Sequence, residues 1–177
     1  MTIWLARHGE TAYNAERRFQ GQGPVPLSDR GREQAAALAE RAAEHNFDSL
    51  WCSPLPRARE TADIVAARIG LAPIDEPRLM ETDAGDWTDR AFDDVQASDP
   101  ERFAAFVAGD PTFAFPGGES FAAQQERVCA ALADIRVTGP LPALVVCHRN
   151  SMRLALERLQ GRTLGLDEVP NGALVAL

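Results

Sequence analysis

The chain contains no lysine: all 18 of its basic side chains are arginines, and they face 26 acidic residues. The resulting formal net charge of -8 argues against nucleic acid as the main partner, because binding to a phosphate backbone requires a basic face. A small phosphorylated molecule is not excluded, since a pocket can be locally positive on an acidic protein.

Cysteine and long apolar runs are also scarce. Only Cys52, Cys129 and Cys147 occur, and no Cys-x-x-Cys pair is present, so we expect no structural disulfides and predict a reducing compartment. The N-terminus has no basic segment followed by a long apolar run, which argues against a secretory signal. No apolar stretch reaches the roughly 18 residues of a membrane span. These absences predict a cytoplasmic protein without a membrane partner.

What is present is typical of one globular domain over residues 1–177, with 45% hydrophobic and 25% charged residues. Strand-like and helix-like patterns alternate, which favours an α/β fold. We predict a three-layer α/β/α architecture, with a mostly parallel central sheet and helices on both faces. The predicted strands are 3–6, 49–52, 71–74, 144–147 and 174–177. The predicted helices are about 29–45, 54–70, 100–108 and 119–136, with a last long helix that carries Met152, Ala155, Leu156 and Leu159.

Helix starts are predicted from capping residues. Ser28 is a candidate N-cap of the first long helix, and Pro54 suits the first turn of the next. Asn150 or Ser151 is the candidate cap of the last helix.

Residues 82–118 are the least regular stretch, rich in aspartate and phenylalanine. They form either a surface excursion with its own aromatic core or a lid-like insertion over the carboxyl ends of the strands. We favour the lid, because the segments on both sides of it carry candidate site residues.

Two histidines follow predicted strands. His8 lies in Arg7-His8-Gly9-Glu10-Thr11, and His148 directly follows the strand at 144–147. Residues at the carboxyl ends of strands in an open α/β sheet line the ligand crevice. Imidazole is a nucleophile near neutral pH, and guanidinium holds phosphate in a bidentate fork. The two histidines and their neighbouring arginines therefore predict a crevice that handles a phosphoryl group. His45, by contrast, is expected at a helix end as a capping or surface residue.

Several further motifs occur in order along the chain. Together they make the chain resemble the histidine phosphatase superfamily, the group that includes cofactor-dependent phosphoglycerate mutases. The motifs are Arg7-His8-Gly9-Glu10-Thr11 with Asn14, Arg18-Phe19-Gln20-Gly21, Leu27-Ser28-x-x-Gly31, Ser53-x-x-x-Arg57-Ala58-x-x-Thr61-Ala62, Leu79-Met80-Glu81, Pro116-Gly117-Gly118-Glu119-Ser120, His148 and Pro170-Asn171-Gly172.

This resemblance implies a role for each matching residue. His8 would attack phosphorus, Glu81 would protonate the leaving alcohol, and water would then hydrolyse the phosphohistidine. The phosphoryl oxygens would be surrounded by Arg7, Arg57 and a charged His148. No metal or cofactor is implied. The implied substrate-binding positions are Asn14, Gln20, Gly21, Arg149 and Asn150.

Two positions depart from the family pattern. Arg149 stands where the family usually has glycine, and its side chain either crowds the phosphate or contacts a second anionic group on the substrate. In Gly85-Asp86-Trp87-Thr88-Asp89, Asp89 replaces the second glycine of a Gly-x-Trp-x-Gly pattern, which puts the lid conformation in question.

The resulting functional hypothesis is a metal-independent phosphomonoesterase, a phosphoric monoester hydrolase acting on a small phosphorylated metabolite through a phosphohistidine. One alternative is transfer of the mutase type between the hydroxyls of a phosphoglycerate. Another is a phosphatase of phosphoproteins that carry phosphohistidine. The oligomeric state stays open, a homo-oligomer included.

Overall fold

A five-stranded sheet forms the centre of the computed structural model, which describes residues 2–177. Its strand order is β3-β2-β4-β1-β5, and only the edge strand β5 runs antiparallel to its neighbour. The predicted mostly parallel sheet is therefore confirmed. The strands are β1 (Ile3–Arg7), β2 (Ser49–Cys52), β3 (Pro73–Asp75), β4 (Ala143–Cys147) and β5 (Leu174–Ala176).

Seven α-helices are formed within the described part of the chain, and three short 3₁₀ turns occur at Pro77–Leu79, Gly85–Trp87 and Leu166–Glu168. Of the helices in residues 2–177, none is both long enough and apolar enough to cross a membrane. The helices are α1 (Ala12–Ala15), α2 (Asp29–Ala43), α3 (Pro56–Ile69), α4 (Phe92–Ser98), α5 (Pro100–Ala108), α6 (Phe121–Thr138) and α7 (Arg149–Gln160).

Helices cover both faces of the sheet, as predicted. Side chains of β4 alternate between two cores: Leu144 and Val146 pack with α2 and α3, whereas Val145 and Cys147 pack with α6 and α7. Because both faces of β4 are covered, every residue of this strand is buried, which explains its continuous apolar sequence.

Two predicted helix starts were wrong. Helix α3 begins at Pro56, not at Pro54: Leu55 is the N-cap and Pro56 takes the first helical position, where its missing N–H costs nothing. Helix α7 is capped by His148 and not by Asn150 or Ser151, because the chain passes from β4 directly into the helix. The predicted cap at Ser28 is confirmed, with its hydroxyl accepting a bond from the Gly31 N–H.

The excursion at 82–118 has a core of its own, which we call the aromatic cluster. The helix predicted at 100–108 is confirmed as α5, whereas α4 was not predicted, since its seven residues give too short a pattern to recognise. The cluster reaches the main body through α6 and α7. Its buried members are Phe19, Ala84, Trp87, Val95, Phe103, Phe106, Phe113, Phe115, Phe121 and Leu154.

Asp89 takes the backbone conformation that a glycine would take. Its φ is +68°, in the left-handed region that most side chains avoid, although aspartate tolerates it better than most. The Asp89 carboxylate accepts a bond of 2.8 Å from the Tyr13 hydroxyl, and its N–H donates to the Phe19 carbonyl. The start of the excursion is therefore joined by hydrogen bonds to the segment after β1, although Asp89 replaces the glycine.

Candidate active site

His8 and His148 lie side by side because their strands are neighbours. Strands β1 and β4 are parallel and Arg7 pairs with Cys147, so the residue after each strand reaches the same edge of the sheet. The His8 N–H donates to the Cys147 carbonyl at 3.1 Å. The two ring centroids are 5.1 Å apart, and both side chains are buried.

The His8 ring is held neutral, with its Nε2 free. Its Nδ1 lies 2.6 Å from the carbonyl oxygen of Gly9, which can only accept, so Nδ1 carries the hydrogen and Nε2 keeps its lone pair. Burial lowers the pKa of His8 well below its usual value, and the charges of Arg57 and Arg7 lower it further. The ring is therefore uncharged near neutral pH, as nucleophilic attack requires.

Close backbone packing fixes the loop after His8. A side chain at Gly9 would stand 2.1 Å from the Gly31 carbonyl oxygen, so only glycine fits. The Gly9 N–H donates to the Thr61 hydroxyl, which in turn donates to the Arg57 carbonyl. The motif that contains His8 and the motif that contains Arg57 are thus joined by hydrogen bonds.

His148 is completely buried, and Ser53 fixes its orientation. The Ser53 hydroxyl lies 2.7 Å from Nε2 of His148 and also accepts a bond from the Leu55 N–H. Within residues 2–177 the hydroxyl hydrogen has no acceptor other than Nε2, so the hydroxyl donates to Nε2, which leaves the ring hydrogen on Nδ1. Nδ1 is buried and has no partner among residues 2–177.

The expectation of a charged His148 was wrong. Burial first, and then the charges of Arg57 and His8, lower the pKa of His148 well below its usual value. A neutral ring still offers one N–H from Nδ1, so His148 contributes a hydrogen-bond donor and not a positive charge.

Arg7 and Arg57 supply the positive charge. The Arg57 guanidinium donates to the carbonyls of Gly21 (2.7 Å) and Gly23 (3.0 Å), and Arg7 donates to the carbonyl of Val169. Burial lowers the pKa of Arg7 to about 9 and that of Arg57 to about 10, which leaves both charged at neutral pH. The buried Nε of each lacks a partner within the described residues, so each can donate one further hydrogen bond.

The Glu81 carboxylate lies at the same cavity, and its two oxygens differ. Oε1 accepts bonds of 3.0 Å from the Thr82 N–H and from the Gln124 side chain, whereas Oε2 accepts one bond of 3.3 Å from the Asn150 N–H. Oε2 therefore has more room for a further hydrogen bond than Oε1.

Gln124 is a site residue that the sequence analysis missed. It is fully buried and also donates to the Ser151 hydroxyl at 3.1 Å. Its signal was present: Gln124 falls between Phe121 and Val128 on the apolar face of α6, where a polar side chain needs a partner.

A cavity of about 800 Å³ opens over these groups. The predicted substrate-binding residues all line it, as do Arg7, His8, Arg57 and Glu81, whereas His148 lies buried beside His8. Asn171 was not predicted as a site residue, yet its side chain donates to the His8 carbonyl and to the Asn14 side chain. The predicted residues at the wall are Asn14, Gln20, Gly21, Arg149 and Asn150.

The excursion forms one wall of the cavity. Phe92, Phe103, Phe106, Val107 and Phe115 all face it. The excursion thus has its own core and also lines the ligand crevice, and its action as a lid stays a prediction.

Chemically, the arrangement combines an unprotonated imidazole nitrogen, two buried guanidinium groups, a neutral N–H donor and a carboxyl group. Within residues 2–177, no group of three or more His, Cys, Asp or Glu side chains is arranged to hold a metal ion. These groups suit phosphoryl transfer, which depends mainly on positioning and on stabilising the charge of the phosphoryl oxygens.

Known proteins are similar to this chain in sequence. The model of the histidine phosphatase superfamily (branch 1) matches residues 3–175. The probable phosphoglycerate mutase GpmB of Klebsiella pneumoniae is 38% identical over 167 residues, which cover 94% of this chain and 76% of that protein.

Solved structures are also similar to this chain. A mycobacterial glucosyl-3-phosphoglycerate phosphatase superposes with a TM-score of 0.90 at 28% identity, covering 99% of this chain and 92% of that one. A putative alpha-ribazole-5'-P phosphatase from Escherichia coli superposes with a TM-score of 0.83 at 32% identity, covering 99% and 89%. The chain therefore belongs to the histidine phosphatase superfamily.

Proposed function

We propose that this protein is a metal-independent phosphomonoesterase that hydrolyses a small phosphorylated metabolite through a phosphohistidine. The observation that carries the proposal is that a free ring nitrogen, Nε2 of His8, occurs at the same site as several N–H groups without a hydrogen-bond partner. Nε2 is free because Nδ1 is bonded to the Gly9 carbonyl, and Arg7, Arg57 and His148 each have a buried nitrogen without a partner in the described structure. A phosphoryl group would satisfy those nitrogens.

The proposed reaction has two steps. In the first, Nε2 of His8 attacks phosphorus, the bond from phosphorus to the alcohol oxygen breaks, and Glu81 gives that oxygen its proton. In the second, water attacks the phosphohistidine, the N–P bond breaks, and the Glu81 carboxylate takes the proton from water. Inorganic phosphate and the alcohol leave. Proton transfer of this kind contributes about 10²–10⁴-fold to the rate.

A mutase is the second candidate, because a similar protein is named probable phosphoglycerate mutase. A mutase must keep water from the phosphohistidine until a second hydroxyl takes the phosphoryl group. The cavity of about 800 Å³ leaves room for water beside a small substrate, which favours hydrolysis.

A phosphoprotein substrate is less well supported, because the excursion walls the cavity on one side. A cytoplasmic location and a homo-oligomer stay predictions.

The test is phosphate release from a panel of phosphometabolites in EDTA, with the wild type and with His8→Ala. We expect the wild type to prefer one substrate and the variant to lose more than about 10³-fold in kcat. His45 lies outside the cavity, so His45→Ala is the matched control and should keep full activity.

Brief incubation of the wild type with substrate should also give an acid-labile phosphoenzyme, with phosphate on His8. A phosphopeptide carrying the label elsewhere contradicts the assignment. With 3-phosphoglycerate, phosphorus NMR separates the two candidates: a mutase moves the phosphoryl group to the other hydroxyl, whereas the proposed enzyme releases inorganic phosphate.

A further inference from the structure

Arg149 is charged and partly buried, yet its side chain has no hydrogen-bond or ion-pair partner among residues 2–177. It is the first residue of α7 and lines the cavity. Its Nε is buried without a hydrogen-bond partner, and none of the ion pairs found within residues 2–177 includes its guanidinium. Burial lowers the pKa of Arg149, and Glu81 and Asp167 oppose that shift from beyond ion-pair distance.

This position is unfavourable for a cation. The N-terminus of a helix carries a partial positive charge, and Arg149 also repels Arg7 and Arg153, whose pKa values it lowers after the larger effect of their burial. An uncompensated charge held away from water is costly. An anion bound in the cavity would relieve this cost.

The phosphoryl group alone does not account for Arg149. A phosphate monoester carries about two negative charges, and Arg7 and Arg57 already supply two positive ones. The residue after Arg149 donates its N–H to Oε2 of Glu81 at 3.3 Å, which is the proposed proton donor to the leaving alcohol. The backbone of Arg149 therefore lies on the side of the cavity where the leaving alcohol would be.

We infer that Arg149 binds a second anionic group, carried on the alcohol part of the substrate. This inference rests on the proposed function and narrows it: the substrate class is phosphate monoesters whose alcohol bears a carboxylate or another anion near the phosphate. The alternative, that Arg149 only crowds or contacts the phosphoryl group itself, gives a different result in the test below.

The test compares phenyl phosphate with 2-, 3- and 4-carboxyphenyl phosphate, which add only a carboxylate at different positions. The variant is Arg149→Met, because methionine matches arginine in helix propensity and removes the charge. Arg158→Met is the control, since Arg158 is exposed in the last turn of the same helix. Thermal melts of all three proteins check folding.

For at least one carboxyphenyl isomer, we expect the ratio of its kcat/KM to that of phenyl phosphate to fall by about 10–100-fold in Arg149→Met, the loss typical of a hydrogen bond to a charged group. Arg158→Met should keep the wild-type ratios. Intrinsic reactivity cancels, because the same substrate pair is compared in each protein. Unchanged ratios for all three isomers in Arg149→Met overturn the inference, whether both rates fall together or neither falls.

A binding experiment keeps this test independent of turnover. If the wild type hydrolyses none of the four esters, the phosphatase proposal fails on these substrates, and calorimetry with phenylphosphonate and the carboxyphenylphosphonates tests Arg149 alone. A carboxylate that strengthens binding in the wild type but not in Arg149→Met supports the subsite. Equal effects of the carboxylate in both proteins overturn it.

Discussion

At the scale of single residues, Ser53 has an effect on the site that its position does not suggest. It is fully buried, and its hydroxyl determines which nitrogen of His148 carries the hydrogen. Because the buried ring is neutral, this choice decides whether His148 offers a donor or a lone pair to its surroundings. A phosphoryl oxygen requires the donor.

We therefore predict that Ser53→Ala lowers kcat by about tenfold or more with a smaller change in KM, since removal of one partner of a buried hydrogen bond costs about 1–3 kcal/mol. The structural readout is the nitrogen-15 spectrum of the histidine rings. The chain has only three histidines, so the wild-type signals should resolve and show His148 with its hydrogen on Nδ1, and Ser53→Ala should lose that preference.

Ser49→Ala is the control for this prediction. Ser49 is also buried, and its hydroxyl donates to the Pro140 carbonyl away from the histidines. Its loss should leave the His148 signal unchanged. A wild-type spectrum with the hydrogen on Nε2, or with a charged ring, would contradict the role given to Ser53.

The sequence could predict the charged residues of the site more readily than the groups that orient them. His8, Arg7, Arg57 and Glu81 stand in recognisable motifs, and the structure places all four at one cavity. Ser53 also stands in one of these motifs, but the sequence assigned it no role, because its hydrogen-bond partner His148 is 95 positions away. The neutral state of His148 depends on its burial among Arg57 and His8, which no local pattern reports.

At the scale of secondary-structure elements, prediction succeeded where burial imposes a continuous pattern. The central strands β2 and β4 were found because both of their faces are covered, so that nearly all their residues are apolar. The start of α3 was wrong because Pro54 and Pro56 both suit a first turn, and only the tertiary contacts decide between them. The contacts of the aromatic cluster likewise hold α4, whose own sequence pattern is weak.

The excursion should lose its structure when the aromatic cluster is damaged. Phe106 is 1% exposed and contacts other rings of the cluster, whereas its neighbour Val107 is 43% exposed. We predict that Phe106→Ala costs about 3–5 kcal/mol and increases hydrogen exchange across 84–121 more than in the sheet. Activity should fall with it, because the excursion forms a wall of the cavity.

Val107→Ala is the matched variant for that experiment. It shortens an apolar side chain in the same helix without opening the cluster, so hydrogen exchange in the excursion should stay close to that of the wild type. If Phe106→Ala loosens the whole molecule uniformly, the aromatic cluster is part of one continuous core and the excursion does not unfold on its own.

At the scale of the whole molecule, the net charge of the chain and the charge around the cavity have opposite signs. The chain is acidic, with a net charge of -8, yet six arginines line the cavity against three carboxylates. This arrangement agrees with the expectation of a locally positive pocket on an acidic protein, and such a pocket raises the local concentration of anions. The lining arginines are Arg7, Arg17, Arg18, Arg30, Arg57 and Arg149, and the lining carboxylates are Glu10, Glu81 and Asp167.

The same concentration of positive charge makes the fold sensitive to acid. Both His8 and His148 have pKa values well below the usual value of 6.5, first because they are buried and then because of Arg57. In the unfolded chain both return to about 6.5. Below that pH the unfolded state binds more protons than the folded state, so the free energy of unfolding decreases as the pH falls.

We predict that this free energy, measured by urea unfolding, falls between pH 6 and 5 by about 1 kcal/mol per pH unit for each of the two histidines. His148→Asn, which cannot take up a proton, should remove one share of that slope whatever its effect on stability at pH 7. Parallel stability curves for the wild type and His148→Asn would mean that His148 is already protonated in the folded protein, and the neutral donor assigned to it would be lost.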